Sequence, residues 1–417
     1  MVFRSPYGDV EIADVSLPAF VFQRAEELGD KPALIDGPSG RAITFAQLAD
    51  LTRRCAAGLA ARGLDPGDVV GLFAPNLPEY AVAFHGIALA GGVSTTVNSL
   101  FSAEDVEKQL ANAGARYLVT AAPFLDRAGP AAKAAGVEEL FVLGESDEGT
   151  PFTSLLANDA AAPDVHTDPA TDVVVLPYSS GTTGFAKGVQ LTHRNLVANV
   201  VQSQAAIQFT RDDVMIGVLP FFHIYGLTVI LNLALWRGAT VVTTPKFELE
   251  QFLRLLQDHR VTVACIVPPI VLALAKHPDV DGFDLSSLGW VLSGAAPLDE
   301  SLANAASERI GGLVVQGYGL TEASPVVSAP SRDPAEARPG TIGRILPSTE
   351  IRVVDVATGE DLPAGGDGEL LVRGPQVMKG YLNDPEADAR TLDPDGWLHT
   401  GDIGHADADG YLWWWTA

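Results

Sequence analysis

Four apolar residues, Val173-Val-Val-Leu176, run almost directly into Tyr178-Ser-Ser-Gly-Thr-Thr-Gly-Phe-Ala-Lys187, and this junction constrains the fold more than any other stretch of the chain. The apolar run has the length and β-branched content of a buried strand. The ten residues from Tyr178 to Lys187 hold two Gly, two Ser, two Thr and one Lys. Glycines let backbone N–H groups turn toward an anion, and hydroxyls and an ammonium add donors. A buried strand opening into such a loop reads as a phosphate cradle. The Gly-x-x-x-x-Gly-Lys-Ser/Thr spacing of the common triphosphate loop is absent. A Ser/Gly-rich surface loop is the plainer reading of the segment taken alone.

The rest of the chain supplies a sheet for that strand. Thr44-Phe-Ala-Gln47 is a capping box whose helix should stop near Gly63. Asp68–Phe73 reads as a strand, Glu79–Leu89 as a helix, Val93–Val97 as a strand, and Arg116–Thr120 as another strand. Ser102-Ala-Glu-Asp105 opens a further helix. Residues 146–170 read as a polar surface connection. From 172 to 330 the alternation resumes, with strands at Val173–Leu176, Val214–Leu219, Ala239–Thr243, Val263–Val267 and Trp290–Ser293, and helices at Leu249–His259 and Leu298–Ser307. Alternation of this kind implies mostly parallel sheets covered by helices. After Gly340, strands at Glu350–Val356, Glu369–Arg373 and Tyr411–Trp415 are separated by Gly/Asp turns, which reads as a small antiparallel β-barrel. The expected fold class is therefore α/β, with α/β subdomains at 1–170 and 171–340 and a barrel at 341–417. A chain of 417 residues exceeds what one core supports, which accords with several lobes.

Composition narrows the function. The net charge of −25 argues against nucleic acid or an anionic membrane as partner. Any anion bound must then meet local positive charge, which Lys187 and Arg194 supply in part. Two cysteines, Cys55 and Cys265, are too few for a disulfide framework, and no apolar run is long enough for a membrane span. The N-terminus lacks a signal-peptide core. A cytoplasmic location is expected.

Two further segments give the cradle its context: Gly317-Tyr-Gly-Leu-Thr-Glu322 and Thr400-Gly-Asp402. Pro220-Phe-Phe-His-Ile-Tyr-Gly226, Ser293-Gly-Ala-Ala-Pro-Leu298 and Gly374-Pro-Gln-Val-Met-Lys-Gly-Tyr381 lie around them. In this order the segments resemble the adenylate-forming superfamily, and within it the 4-coumarate/aryl-CoA or fatty-acyl-CoA ligase branch. The resemblance runs from about residue 20 to Leu412 and corresponds to the large N-terminal domain. It implies ATP-dependent adenylation of a carboxylic acid, then transfer to coenzyme A, with ATP, Mg²⁺ and CoA as the small molecules.

The resemblance also assigns roles. The cradle is Ser179, Ser180, Gly181, Thr182, Thr183, Gly184 and Lys187. Ala186 stands where the family usually has proline, so one φ angle is left unfixed. Glu322 is the implied Mg²⁺ ligand, a hard oxygen donor for a hard cation, and Thr321 beside it can donate to the α-phosphate. Alone, Glu322 would read as a charge at a helix start. Tyr318, between Gln316-Gly317 and Gly319, suits stacking on adenine, with Gly294, Ala295, Ala296 and Pro297 bordering the base. Asp402 should accept from the ribose hydroxyls, although its type and setting also fit an ordinary turn. His223 lies between apolar runs, where a core histidine is common; the resemblance gives it an orienting role beside the carboxylate and thiol. Tyr225, Val229, Leu292, Ala295, Gly317, Gly319, Pro325 and Val326 match positions that line the acyl pocket, and their apolar character suits a phenylpropenoic or medium-chain fatty acid.

The family continues past its last barrel strand with Asp-Arg-x-Lys and a small domain that carries a lysine used in adenylation. Here the sequence reads Gly410-Tyr-Leu-Trp-Trp-Trp-Thr-Ala417. Tryptophan has one codon, so Trp413 onward reads TGG-TGG-TGG-ACN-GCN. One added G after the first codon gives Trp-Val-Val-Asp-Arg with C at the open base. The expectation is a chain cut short by a shifted frame, with impaired turnover; a deliberate truncation is the alternative. A nucleotide- or acyl-adenylate-binding module without turnover is the competing function. A peptide-synthetase adenylation domain is disfavoured by the apolar pocket, and nothing supports luciferase-type oxygenation. Three adjacent tryptophans need a surface to pack on.

Overall fold

The structure, a computed structural model, describes residues 1–179 and 186–415. Its centre is a seven-stranded sheet in the order Leu313–Gln316, Trp290–Ser293, Val263–Ile266, Val214–Gly217, Thr240–Thr243, Pro32–Asp36, Ala42–Thr44. All neighbours are parallel except the last pair, a hairpin. Every residue of Val263–Ile266 and Trp290–Ser293 is buried, because helices cover both faces. That is why these strands read as continuous apolar runs rather than alternating ones.

An eight-stranded sheet runs Gly380–Tyr381, Lys187–Thr192, Val173–Ser179, Val93–Thr96, Val69–Phe73, Ala115–Ala121, Glu139–Leu143, Thr150–Pro151. The pairings of Lys187–Thr192 with both neighbours are antiparallel, and the remainder are parallel. The strand Val173–Ser179 thus ends just before residue 180, and Lys187–Thr192 begins just after residue 185, beside it. Sequence boundaries at 170 and 340 do not coincide with the sheets. Pro32–Asp36 completes the seven-stranded sheet, while Val173–Ser179 and Lys187–Thr192 join the sheet built mainly from the first 170 residues.

The expected barrel is an antiparallel sheet of five strands, Val2–Arg4, Glu350–Val354, Gly368–Arg373, Leu398–Ala406 and Leu412–Trp415, with the first and last at its edges. Trp413 stacks on His405 at 4.8 Å between centroids, and Trp414 lies 5.3 Å from the Tyr318 ring. Trp415 meets the His405 ring edge-on at 5.4 Å, so all three indoles find an aromatic partner although Trp415 remains 41% exposed.

Local signals worked where side chains bond their own backbone. The Thr44/Gln47 capping box opens the helix Phe45–Ala61, and Ser102/Asp105 opens Ala103–Ala113. The helix expected at Leu298–Ser307 instead spans Glu300–Ile310, because Asp299 caps it through Leu302 N. Residues 146–170 are more than a polar connection. They include the helix Thr153–Leu156, whose Leu155 is fully buried against Phe45–Ala61. Gly58 permits that approach: a Cβ there would sit 2.2 Å from Leu155 O. Among the described residues, no helix is long and apolar enough to cross a membrane.

Candidate active site

A cleft of ≈720 Å³ opens between the two large sheets and the antiparallel sheet. It lies at the carboxyl ends of parallel strands, where open α/β sheets bind ligands. Ser179 and Lys187 flank its loop side. Ser180, Gly181, Thr182, Thr183 and Gly184 lie outside the described residues. Lys187 begins a strand whose register, Lys187 opposite Ser179, brings both loop ends to one place.

Thr321 and Glu322 enter the cleft from a single 3-10 turn, Thr321–Ala323, that follows the short strand Tyr318–Gly319. Glu322 Oε1 accepts a hydrogen bond from the Tyr381 hydroxyl at 2.9 Å. Tyr318 donates to Asp402 Oδ2 at 2.6 Å, which ties the two residues assigned to base and ribose. Burial, then the Asp402 charge, pushes the Tyr318 pKa well above its usual value, so its hydroxyl stays a donor. Asp402 follows Gly401 on the strand Leu398–Ala406, and its N–H donates to Thr400 Oγ1.

Gly294 and Ala295 line the cleft just past the strand Trp290–Ser293. Ala295 holds φ at +67°, a left-handed conformation that costs a residue with a Cβ about 1–2 kcal/mol. Ala296, Pro297 and Gln316 do not reach the cleft wall; the Gln316 side chain accepts from Leu298 N instead and props the turn behind it.

The inner wall is formed by Tyr225, Leu292, Gly317, Gly319, Pro325 and Val326. Tyr225 donates its hydroxyl to Leu292 O at 3.0 Å, which lays the ring along the pocket. Val229 corrects an expectation: it is fully buried in the π-helical stretch Gly226–Leu233 and does not line the cleft. The wider π turn places Tyr225, just before it, at the wall. His223 opens into the cleft, where the surrounding walls desolvate it and lower its pKa. Its Nδ1 accepts from Tyr225 N at 3.2 Å, so the neutral ring carries its proton on Nε2 and presents a donor.

Charge in the cleft differs from the sequence expectation. Arg194 pairs with Asp14 at 3.5 Å and is not on the wall. Arg390 is there instead, on the helix Pro385–Thr391, together with Tyr381. Both were missed because their neighbourhood reads only as part of a motif and a polar helix. Thr96 at the end of the strand Val93–Thr96, Asn98 and Phe101 in the connection after it, and Gln109 on the helix Ala103–Ala113 line a further, mostly polar arm. Among the described residues, no group of three or more His, Cys, Asp or Glu forms a metal cage.

Comparisons with known proteins identify the family and the fold. The profile of the AMP-binding enzyme family matches residues 21–382. The chain is 43% identical over 420 residues to 4-coumarate–CoA ligase 3 of Oryza sativa subsp. japonica, covering 98% of this chain and 75% of that one. Its fold is similar to a long-chain-fatty-acid–CoA ligase, FadD1, from Archaeoglobus fulgidus, with TM-score 0.90, 26% identity, and coverage of 98% and 85% of the two chains. It is also similar to the anthranilate CoA ligase AuaEII in complex with anthranoyl-AMP, with TM-score 0.89, 25% identity, and coverage of 97% and 78%.

Proposed function

Since the chain belongs to the AMP-binding enzyme family of acid–CoA ligases, we propose that its cleft adenylates a planar aromatic acid of the 4-coumarate type and passes it to coenzyme A. The observation that carries this reading is the meeting, in one cleft, of two chemically different halves. Lys187, Tyr318, Thr321, Glu322 and Asp402 form a polar half. Tyr225, Leu292, Gly317, Pro325 and Val326 form an apolar half, and His223 stands at its mouth.

In this reading the acid's carboxylate oxygen attacks the α-phosphorus of ATP. The bond to the bridging oxygen breaks, and pyrophosphate leaves with the electron pair. The CoA sulfur, once its proton is lost, then attacks the acyl carbon, and AMP leaves. Tyr318 holds the base by stacking, and Asp402 turns from the Tyr318 hydroxyl to the ribose hydroxyls. Lys187 offers its ammonium to the outer phosphates, and Thr321 its hydroxyl to the α-phosphate. The Nε2–H of His223 donates to the acid's carboxylate and aims it. Positioning and fixed donors of this kind account for most of the rate in phosphoryl-centred chemistry.

Mg²⁺ suits this cleft because it takes oxygen donors and keeps phosphates and waters in its shell. The single carboxylate of Glu322 would hold it, and the cation would offset phosphate charge. Anthranoyl-AMP bound to a similar ligase supports an aromatic adenylate here. Gly317 keeps its stretch of the cleft wall free of a side chain, while Gly319 is needed for close approach to Pro325, whose carbonyl oxygen a Cβ would meet at 2.2 Å. Cys55 and Cys265 are buried and unpaired, which accords with a reducing compartment such as the cytoplasm.

The test is thermal stabilisation by a panel of carboxylic acids with ATP–Mg²⁺, read beside pyrophosphate release. Hydroxycinnamates should give the largest shift and should stimulate release. A panel in which aliphatic acids alone stabilise the protein would overturn the aromatic assignment. Stabilisation by nucleotide with no acid-dependent release would favour a binding module.

A further inference from the structure

One segment grips Glu322 at two points. The Glu322 carbonyl accepts from Met378 N at 2.8 Å, and its carboxylate accepts from the Tyr381 hydroxyl at 2.9 Å. The same segment lies antiparallel to the strand that carries Lys187, with Val189 opposite Tyr381 and Gln190 opposite Gly380. Lys379 N donates to Gln190 O at 3.0 Å, and Leu382 N to Gly188 O at 2.8 Å. Lys187 Nζ lies 4.8 Å from the centroid of the Tyr381 ring. One aromatic side chain therefore touches both the carboxylate assigned to the metal and the ammonium assigned to the phosphates.

The placement of Tyr381 is itself well determined. Its backbone N–H donates to Asp388 Oδ1 at 2.6 Å. Gly380, at φ +149°, allows this, because a Cβ there would sit 2.8 Å from Asp388 Oδ2. Burial, and secondarily the nearby Glu322 charge, pushes the Tyr381 pKa up, so the phenol stays protonated. A phenol beside a carboxylate can only donate, which fixes the sense of the bond. The ring face meanwhile attracts the lysine ammonium.

We propose that Tyr381 is a positioning residue: its hydroxyl fixes one oxygen of Glu322 and leaves the other for a divalent cation, while its ring face fixes Lys187 toward the outer phosphates of the nucleotide. The inference rests on the ligase reading of the cleft. It gives one tyrosine two separable effects, one carried by the hydroxyl and one by the ring.

The experiment is nucleotide calorimetry on the wild-type chain and two variants, with ATP across a Mg²⁺ series and with AMP in EDTA. Tyr381→Phe keeps the ring and loses the donor. Its half-saturating Mg²⁺ should rise roughly tenfold, as expected for one charged hydrogen bond, while AMP affinity stays within about twofold. Tyr381→Leu loses both, so ATP affinity at saturating Mg²⁺ should fall a further few-fold, again with AMP spared. In a Glu322→Gln background, adding Tyr381→Phe should shift the Mg²⁺ dependence no further. If Tyr381→Phe does not fold, Tyr381→Leu decides the point by the same pattern, ATP and Mg²⁺ affected and AMP not. A Mg²⁺ dependence equal to wild type in the variants overturns the inference alone. Parallel loss of AMP and ATP overturns it in favour of a structural tyrosine. A wild-type chain that binds neither nucleotide overturns the inference and the ligase reading together.

Discussion

Tyr318 donates its hydroxyl to Asp402 at 2.6 Å, so the aromatic platform of the cleft is joined directly to the carboxylate beside it across 84 residues of sequence. The bond spans the boundary between the strand Tyr318–Gly319 and the antiparallel sheet strand Leu398–Ala406. In the proposed reading, nucleotide binding would exchange this one hydroxyl donor on Asp402 for the ribose pair. Asp402→Asn keeps an acceptor for Tyr318 but loses the charge and one acceptor oxygen. AMP affinity should fall about 10- to 100-fold, since charged hydrogen bonds contribute roughly 1.5–3 kcal/mol. Tyr318→Phe keeps the platform and should cost less than Asp402→Asn. Titration calorimetry with AMP ranks the two.

Lys187 and the phosphates can be separated from the base by choice of ligand. Lys187→Ala should weaken ATP clearly more than AMP, because AMP has no outer phosphates for the ammonium to meet. The difference should reach about tenfold or more. Equal losses for both nucleotides would make the lysine structural.

The acyl wall can be narrowed at one glycine. A Cβ on Gly317 would meet the backbone oxygen of Ser328 at 3.1 Å, which has to give by a few tenths of an ångström, and Leu292 Cδ1 at an ordinary 3.4 Å. Gly317→Ala should therefore fold and place a methyl on the wall. The KM for a ring-bearing acid should rise about tenfold or more, in line with the roughly 1–3 kcal/mol that one methylene decides in an apolar pocket, with little change in AMP affinity. Steady-state pyrophosphate release at varied acid measures it.

Acid should destabilise the fold through buried histidines. Burial pushes the His85 pKa from 6.5 down to about 3 and the His193 pKa to about 4. Both stay neutral in the folded chain and take up protons near pH 6.5 when unfolded. The unfolded state thus binds more protons between these limits, and stability rises with pH there. It is fully present above about pH 6.5 and is lost as pH falls toward the folded values. Two such groups amount to at most about 4 kcal/mol between pH 6.5 and 5, at about 1.4 kcal/mol per unit each. Denaturant midpoints across that range should show the slope, and His85→Leu should remove about half of it.

The parts of this structure legible in the sequence are those set by local chemistry. Capping boxes at Thr44 and Ser102 open helices as expected because each side chain bonds its own backbone. Fully buried parallel strands announce themselves as β-branched runs, and the strand ending at Ser179, the strand beginning at Lys187 and the Gly317–Glu322 turn border the cleft as their motifs lead one to expect. What the sequence hides is long-range. Nothing local tells that Pro32–Asp36 completes the seven-stranded sheet, or that Leu155 packs into a space left by Gly58. Val229 matches a wall position by resemblance, yet it is fully buried within the π-helical stretch Gly226–Leu233 and is not on the cleft wall. Tyr381 and Arg390 reach the cleft only through tertiary packing of a segment about 60 residues beyond Glu322.

If one cleft holds a nucleotide and an aromatic acid together, calorimetric titration of this chain with AMP in the presence and absence of 4-coumarate reads it out directly. Single-site AMP binding that Asp402→Asn weakens at least tenfold is expected, with tighter AMP binding when the acid is present. Absence of heat at millimolar AMP, or AMP binding that neither Asp402→Asn nor the acid alters, would contradict it.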